Sequence, residues 1–146
     1  MVTLFSFSAC GKKDEIAEFK KEIDAFCTDI STIDTTINSI DAQSDQAVTE
    51  LLQNLDALEA DFNQFAELDF PQEYDYLEPL ADEASSYMSE AVASYHTVYQ
   101  DEDSYSENTA DYAKENYGRA YKRIQIIIAF LHGEDPAEMG LVITEE

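Results

Sequence analysis

The stretch IAEFKKEIDAFCTDISTIDTTINSI, residues 16–40, decides the fold, because its apolar side chains recur at alternating steps of three and four. The positions that keep this spacing are Ile16, Phe19, Ile23, Phe26, Ile30, Ile33, Ile37 and Ile40. An α-helix has about 3.6 residues per turn, so side chains with this spacing share one face. The stretch therefore predicts a long amphipathic helix with one buried stripe.

The same spacing returns in three later stretches, which predicts three more helices. Their stripes are Val48, Leu51, Leu55, Leu58, Phe62 and Phe65; then Leu77, Ala81, Ala84, Met88, Ala91, Tyr95 and Val98; then Ala110, Ala113, Tyr117, Ala120, Ile124, Ile127 and Leu131. We expect helices at residues 14–41, 45–68, 72–100 and 108–132. Similar lengths and short links favour an all-α fold, an antiparallel up-down-up-down four-helix bundle with coiled-coil-like packing.

Proline, glycine and polar side chains mark the predicted helix ends. Pro71 suits the first turn of the third helix, and Pro79 either bends that helix or marks its regular start. Ser106 or Asn108 is the expected N-cap of the fourth helix. That helix should stop at Gly133, which suits a left-handed cap.

The fourth predicted helix has two unusual features. Gly118 lies in its middle, where glycine weakens a helix, and we expect it to permit a close helix crossing. Ile126 and Phe130 are apolar but lie off the stripe. We expect the C-terminal tail to cover them, with Phe70, a partner or the membrane surface as alternatives.

The composition indicates one acidic domain. The chain has 146 residues, of which 45% are hydrophobic, and this is enough for one substantial core. Its formal charge is −24, from 32 acidic and 8 basic side chains. Such a surface repels polyanions, so we expect no nucleic-acid partner. No run of about 18 apolar residues occurs, so the sequence predicts no transmembrane helix.

Cys10 stands between an uncharged apolar stretch, residues 1–9, and a basic tether. The local sequence SACGKK, residues 8–13, places small side chains before the cysteine and glycine with two lysines after it. This pattern resembles the lipobox of bacterial lipoproteins, in which the cysteine sulfur receives a diacylglyceryl group after export. With its acidic, tyrosine-rich body, the chain resembles the small lipoproteins of uncharacterised function in Gram-positive bacteria.

The resemblance implies lipidation at Cys10 and a membrane partner reached through the lipid anchor. It also implies a location on the extracytoplasmic face of the cell membrane, where an envelope protein is the expected protein partner. The chain then divides into four parts: a truncated signal-peptide-like segment at 1–9, a tether at 10–13, a four-helix bundle at 14–132 and a C-terminal tail at 133–146.

Two groups of side chains are candidate binding surfaces. Acids are expected to gather at the bundle end away from Cys10, as a weak cation site without the EF-hand pattern of a coordinated metal: Asp41, Asp45, Asp101, Glu102, Asp103 and Glu107. The 9 tyrosines all follow residue 73, and four of them are a candidate aromatic surface: Tyr87, Tyr95, Tyr112 and Tyr121. The alternative is that these rings line the edge of the core with their hydroxyls in water.

The sequence offers no convergent catalytic groups. His96 and His132 belong to different predicted helices and to opposite ends of the bundle. Neither follows a glutamate in the spacing that di-iron bundles use. Cys27 lies beside Phe26 and reads as a small core thiol rather than a nucleophile. We therefore expect no enzyme, no cofactor and no metal centre.

Three functions remain open after these exclusions. The favoured one is a membrane-anchored extracytoplasmic bundle with a non-catalytic binding or structural role. The second is an acidic bundle that sequesters cations or cationic peptides. The third is an intracellular helical adaptor without a lipid.

Overall fold

The chain is helical over the residues that the structure describes. A computed structural model describes residues 8–100, 103 and 105–143, with side chains from residue 11 onward. Its helices are α1 Ser8–Asn38, α2 Ala47–Ala66, α3 Glu78–Gln100 and α4 Glu107–Leu131. A 3₁₀ turn, Asp75–Leu77, precedes α3, and no β-strand occurs within these ranges. The predicted all-α class with four helices is confirmed.

The four predicted stripes meet in one apolar core. Its largest members from α1 and α2 are Phe19, Ile23, Phe26, Ile30, Leu55, Leu58, Phe62 and Phe65, and those from the later elements are Leu77, Met88, Ile124 and Ile127. The Phe26 ring stacks on Phe65 with 4.4 Å between centroids and meets Phe62 edge-on at 5.4 Å. Each such side chain contributes about 1.5–3 kcal/mol on burial, so the stripes are the main source of stability.

The first helix is shifted from its predicted bounds at both ends. It begins by Ser8 rather than at residue 14, because alanine and lysine favour helix and no proline interrupts residues 8–13. It ends at Asn38 rather than 41. After it, Asp41 Oδ1 accepts a bond from the Gln43 N–H at 2.9 Å, and Ser44 Oγ accepts one from the Gln46 N–H at 3.1 Å. These local bonds compete with helix, which explains a break without glycine or proline.

The link between α2 and α3 also differs from its prediction. α2 runs from Ala47 to Ala66 rather than 45–68, and α3 begins at Glu78 rather than 72. Between them the Tyr74 N–H donates to the Pro71 carbonyl at 2.7 Å, which forms a turn before the 3₁₀ segment. Pro79 is the second residue of α3, where its missing N–H is not needed. It therefore marks the regular start of α3.

Both ends of α4 carry the expected kinds of cap. Ser106 is the N-cap residue, and its hydroxyl accepts a bond from the Thr109 N–H at 3.4 Å. At the other end Gly133 has a φ of 72°, and its N–H and that of the next residue bond to carbonyls of the last helical turn. This pair of bonds is the Schellman motif, so the predicted glycine cap is confirmed.

The two unusual features of α4 have different outcomes. A Cβ on Gly118 would meet no heavy atom within 4 Å, so the predicted close crossing at this glycine is wrong. Ile126 is only 4% exposed. Phe130 is exposed and meets the Tyr76 ring edge-on at 5.8 Å. In the tail, Pro136 is buried, whereas residues 132–135 and 137–140 are exposed.

Side-chain hydrogen bonds join the helices to one another. Two bonds join α2 to α3, from Ser85 to Asn63 and between His96 and Asp56. Two join α4 to α3, from Arg123 to Glu83 and from Tyr112 to Glu90. Two more join α4 to α1, from Tyr117 and Tyr121 to Asp34. The Arg123 side chain is 9% exposed and its Nε lies 2.9 Å from the Glu83 carboxylate. These bonds fix the register of helices that the apolar stripes alone would allow to slide.

A cleft at one end of the bundle

A cleft of about 450 Å³ opens where the C-terminal parts of α1 and α3 meet the N-terminal parts of α2 and α4. Its apolar wall consists of Ile37, Leu51, Leu55, Val98 and Ala110. The rest of the lining is aromatic or charged: Tyr95, Tyr99, Tyr105, Tyr117, Glu107, Asp111 and Lys114. The cleft is half open to solvent, and its lining combines an apolar wall with a few polar groups.

The cleft exists because α4 carries small side chains at this end. Its N-terminal half presents Ala110 and Ala113 on the stripe, whereas its C-terminal half presents Ile124 and Ile127 and fills the core. Ala110 lines the cleft together with Ile37, and such a small side chain leaves space where a protein interior needs matched volumes. The side chains at this end are accordingly less covered, and Val48 is 42% exposed.

One wall of the cleft is fixed by hydrogen bonds to a single carboxylate. The Tyr117 hydroxyl donates to Asp34 Oδ1 at 2.7 Å, and the Tyr121 hydroxyl donates to Asp34 Oδ2 at 2.8 Å. The two rings stack with centroids 5.0 Å apart, and Tyr95 meets Tyr117 edge-on at 6.5 Å. These contacts join α1, α3 and α4, so Tyr117 enters the cleft in one defined orientation.

These tyrosines remain protonated at physiological pH. Burial is the main cause of a raised pKa for Tyr117 and Tyr121, and the Asp34 carboxylate raises both further. Burial also raises the pKa of Tyr95, with a smaller effect from Tyr99. A neutral phenol keeps its O–H donor, so the bonds to Asp34 persist across the physiological range.

The charged lining of the cleft is acidic on balance. Glu107, Asp111 and Lys114 follow one another at helical spacing on α4, which gives two carboxylates and one ammonium. Asp34 adds a further carboxylate behind the Tyr117 ring. The whole chain carries −24, so the field at the cleft favours positive ligands.

The four tyrosines of the predicted aromatic surface have four different surroundings. Tyr95 lines the cleft, and Tyr121 lies behind it in the Asp34 network. Tyr87 packs against basic side chains, with the Arg119 and Arg123 guanidinium carbons 5.7 and 4.8 Å from its ring centroid. Tyr112 is exposed and donates its hydroxyl to Glu90 at 3.0 Å. The structure therefore brings Tyr95 and Tyr121 together through Tyr117 and places the other two outside the cleft.

The acids predicted as a weak cation site are only partly within the described residues. Asp101 and Glu102 lie outside them. Asp41 bonds to backbone in its own turn, Asp45 and Asp103 are exposed, and Glu107 lines the cleft. Across residues 8–100, 103 and 105–143, no three His, Cys, Asp or Glu side chains are grouped so that they could hold a metal ion.

The histidines and Cys27 lie apart from the cleft. His96 Nε2 lies 2.6 Å from Asp56 Oδ1 and joins α3 to α2. His132 is the C-cap residue of α4. Cys27 is half-buried, and burial raises the pKa of its thiol, with a smaller effect from Asp24. A thiol with a raised pKa is mostly protonated at neutral pH, so it is a weak nucleophile.

The predicted lipidation residue lies at the start of α1. The backbone of Cys10 belongs to the first turn of that helix, and its side chain lies outside the described residues. Lys12 and Lys13 follow it and are exposed. A smaller cavity of about 340 Å³ lies here between the first turns of α1 and the link residues 71–73.

Sequence reasoning missed most of the cleft. Asp34 lies next to Ile33 of the stripe, and Tyr117 lies on a stripe itself, so both read as ordinary core-edge residues. Tyr99 and Lys114 read as surface positions. The only available signal was the change from alanine to isoleucine along α4, which hints at space near its start.

Comparisons of the chain with protein-family models, curated proteins and solved structures found no match. No helix in the described part of the chain combines the length and the apolar character needed to cross a bilayer. Function is therefore inferred from the residues of this chain.

Proposed function

We propose that this chain is a lipoprotein anchored at Cys10 to the extracytoplasmic face of the cell membrane. Its helical domain then binds a ligand or an envelope protein without catalysis. The observation that carries the proposal is the position of SACGKK at the start of α1, whose far end reaches Ile37 in the cleft. At about 1.5 Å per residue, the helix holds these points about 40 Å apart.

The proposal includes an antiparallel up-down-up-down arrangement. The bonded pairs between α2 and α3 support it, because Asn63 pairs with Ser85 whereas the earlier Asp56 pairs with the later His96. The pairs between α3 and α4 follow the same order, as the bonds from Arg123 to Glu83 and from Tyr112 to Glu90 indicate. In this arrangement alternate links share an end.

Aromatic contacts support a distinct anchor end opposite the cleft. Phe19, in the first half of α1, meets Phe70 with 4.8 Å between centroids and Tyr74 with 6.0 Å. Phe130, at the end of α4, meets Tyr76. The start of α1, the α2–α3 link and the end of α4 therefore belong together, and a lipid at Cys10 would present the cleft away from the membrane.

The chemistry of the anchor suits permanent attachment. Two acyl chains, at about 0.8 kcal/mol per buried methylene, bind a membrane far more firmly than one chain. Lys12 and Lys13 are exposed next to the anchor, where each adds about 1 kcal/mol of attraction to an anionic leaflet. The acidic domain of this chain, whose formal charge is −24 overall, would be repelled from the same leaflet, which favours an upright bundle.

Metabolic labelling in the native host with a fatty-acid analogue tests the anchor. We expect label on the wild-type chain and on Cys27→Ala, which removes the other cysteine and serves as the matched control. Cys10→Ala should lose the label and leave the membrane fraction. Label that persists on Cys10→Ala would overturn the proposal, and an unlabelled wild type in the cytosol would favour the intracellular adaptor.

A further inference from the structure

The cleft is a gap between packed helices, but its lining is not wholly apolar. Empty cavities inside proteins are lined by apolar side chains. Here the wall includes tyrosines and three charged side chains of α4 beside the apolar wall. The lining is thus suited to a ligand with an apolar body and a charged group.

We propose that the cleft binds a small organic cation, an amine or quaternary ammonium with an apolar body. The inference rests on the proposed binding function and names the ligand class. It does not depend on the lipid anchor.

The apolar body has a defined place in the cleft. Ile37, Leu51 and Val98 form its apolar wall, and the available volume of about 450 Å³ is within the range of sites for small molecules. Val98 is buried, whereas Ile37 and Leu51 are half-buried and still expose apolar surface. A ligand that covers this surface gains about 25 cal/mol per Å².

The cationic group is selected by the aromatic and acidic side chains. Tyrosine faces attract ammonium groups, and Tyr95, Tyr99 and Tyr117 all line the cleft. The Asp34 carboxylate accepts the Tyr117 hydroxyl, which makes that ring more electron-rich and places a negative charge behind it. Glu107 and Asp111 supply two more carboxylates against one opposing charge, Lys114.

The aromatic wall is organised before any ligand binds. Tyr117 is held by its hydrogen bond to Asp34, its stack on Tyr121 and its edge contact with Tyr95. A wall that is already ordered loses little entropy on binding, and this advantage is the same for ligands of the same shape. Among such ligands, the charge of the ligand is therefore expected to determine the affinity.

Calorimetric titration of the full chain at pH 7 with three probes of one shape tests this selection. The probes are para-tert-butylbenzylamine, the corresponding alcohol and the corresponding benzoate, which carry positive, zero and negative charge. We expect the amine to bind about tenfold more tightly than the alcohol, and the benzoate not to bind. Equal affinity for the amine and the alcohol, or binding of the benzoate, would overturn the cation class while leaving the cleft as a site. Absence of binding by all three would overturn the inference, and the labelling result at Cys10 would stand separately.

Substitutions in the cleft locate the cation. Tyr99→Leu should weaken amine binding about fivefold, since one aromatic face is removed. Tyr112→Leu is the matched control, because Tyr99 is 42% and Tyr112 is 46% exposed and both lie on helices. Equal losses in the two variants would contradict the proposed site.

Charge variants of α4 give a second, opposite pair of effects. Lys114→Met should tighten amine binding about threefold, and Asp111→Asn should weaken it about threefold. Both positions are exposed, so the fold should be kept, and circular dichroism verifies this. Weaker amine binding by Lys114→Met, or tighter amine binding by Asp111→Asn, would overturn the proposal.

Discussion

Asp34 is the side chain on which the α1–α4 contact and the cleft wall both depend. It lies half-buried on α1 and accepts two tyrosine hydroxyls, one on each carboxylate oxygen. A charged acceptor strengthens both bonds relative to neutral pairs. If the Asp34 carboxylate is removed, the two tyrosine hydroxyls remain partly buried without an acceptor. Such unpaired donors lower the stability of the folded state.

Asp34→Ala should therefore lower the free energy of unfolding by about 2–4 kcal/mol, as measured by urea denaturation. Asp24→Ala is the control, since Asp24 is an exposed acid of the same helix and its loss should change stability by less than about 0.5 kcal/mol. Similar values for the two variants would show that the tyrosine bonds add nothing to stability.

Asp61 gives a prediction about pH. It lies in a groove of about 180 Å³ between α1 and α2, and burial, with a smaller effect from Asp29, raises its pKa from the ordinary 3.8. An acid whose pKa is raised by folding stabilises the fold when protonated, and this contribution is lost as pH rises through the raised pKa. It is fully present only below about pH 3.8.

Asp61→Asn should accordingly gain thermal stability over the wild type as pH rises from 4 to 7. Melting curves at several pH values measure the difference in Tm. Glu67→Gln, at an exposed position of the same region, should show a smaller rise. A constant difference between Asp61→Asn and wild type across this range would contradict the assigned pKa direction.

Single residues were predictable where one helix determines their surroundings. Phe19, Ile23 and Phe26 are buried because the period of α1 places them on its inner face. Asp34 was not predictable as a hydrogen-bond acceptor, because its partners are on α4, far along the chain. Such pairing depends on how far one helix is shifted along its neighbour. The spacing of apolar residues within each helix does not determine that shift.

At the scale of the element, α4 and its C-terminal cap contain two glycines in opposite situations. Gly118 lies inside the helix and a Cβ there would meet open space, whereas Gly133 caps the helix at a φ of 72°. Gly118→Ala should raise the free energy of unfolding by about 1 kcal/mol, since alanine favours helix. Gly133→Ala should lower it by about 1–2 kcal/mol, since a Cβ disfavours the left-handed conformation.

Urea denaturation of the two glycine variants provides the measurement, and each variant is the control for the other. The same replacement should give opposite signs inside the helix and at its cap. A loss of stability in Gly118→Ala would contradict the helix-propensity argument at this open position.

Element ends were predictable where local chemistry decides them. Gly133 caps the end of α4 because glycine adopts the left-handed conformation freely. Ser106 caps its start because the serine oxygen accepts a bond from the first turn. The sequence predicted the end of α1 at residue 41, three residues too late. The bonds of the Asp41 and Ser44 side chains to nearby backbone end the helix earlier, and no glycine or proline marks them in the sequence.

At the scale of the whole molecule, charge repulsion should oppose folding. With a formal charge of −24, the compact chain holds many more acids than its 8 basic side chains can neutralise. Raising sodium chloride from about 0.01 to 0.1 M shortens the screening length from about 30 to 10 Å. We therefore expect the Tm to rise with salt.

Calcium chloride at matched ionic strength is the control for this salt effect. Screening alone gives similar rises for both salts. A much larger rise with calcium would indicate carboxylate coordination, which is the cation-sequestration alternative. A Tm that does not change with sodium chloride would show that self-repulsion is not a significant cost.

The bundle was predictable as a whole, but the cleft was not. Four stripes of matched length indicate a shared core without reference to any contact. The cleft is lined by residues from all four helices, with the small Ala110 among larger side chains such as Ile37, Leu51 and Val98. Such a volume mismatch becomes apparent only when the helices are placed together.

The uneven packing of the helices has a mechanical consequence for the anchored molecule that we propose. α3 packs on both α2 and α4, whereas α1 packs on α2 and is joined to α4 through Asp34. Tension on the lipid would load α1 along its axis, and α1 would shear before the other three helices separate. Ile37 would then be drawn out of the cleft, so a pulled tether would release whatever the cleft holds.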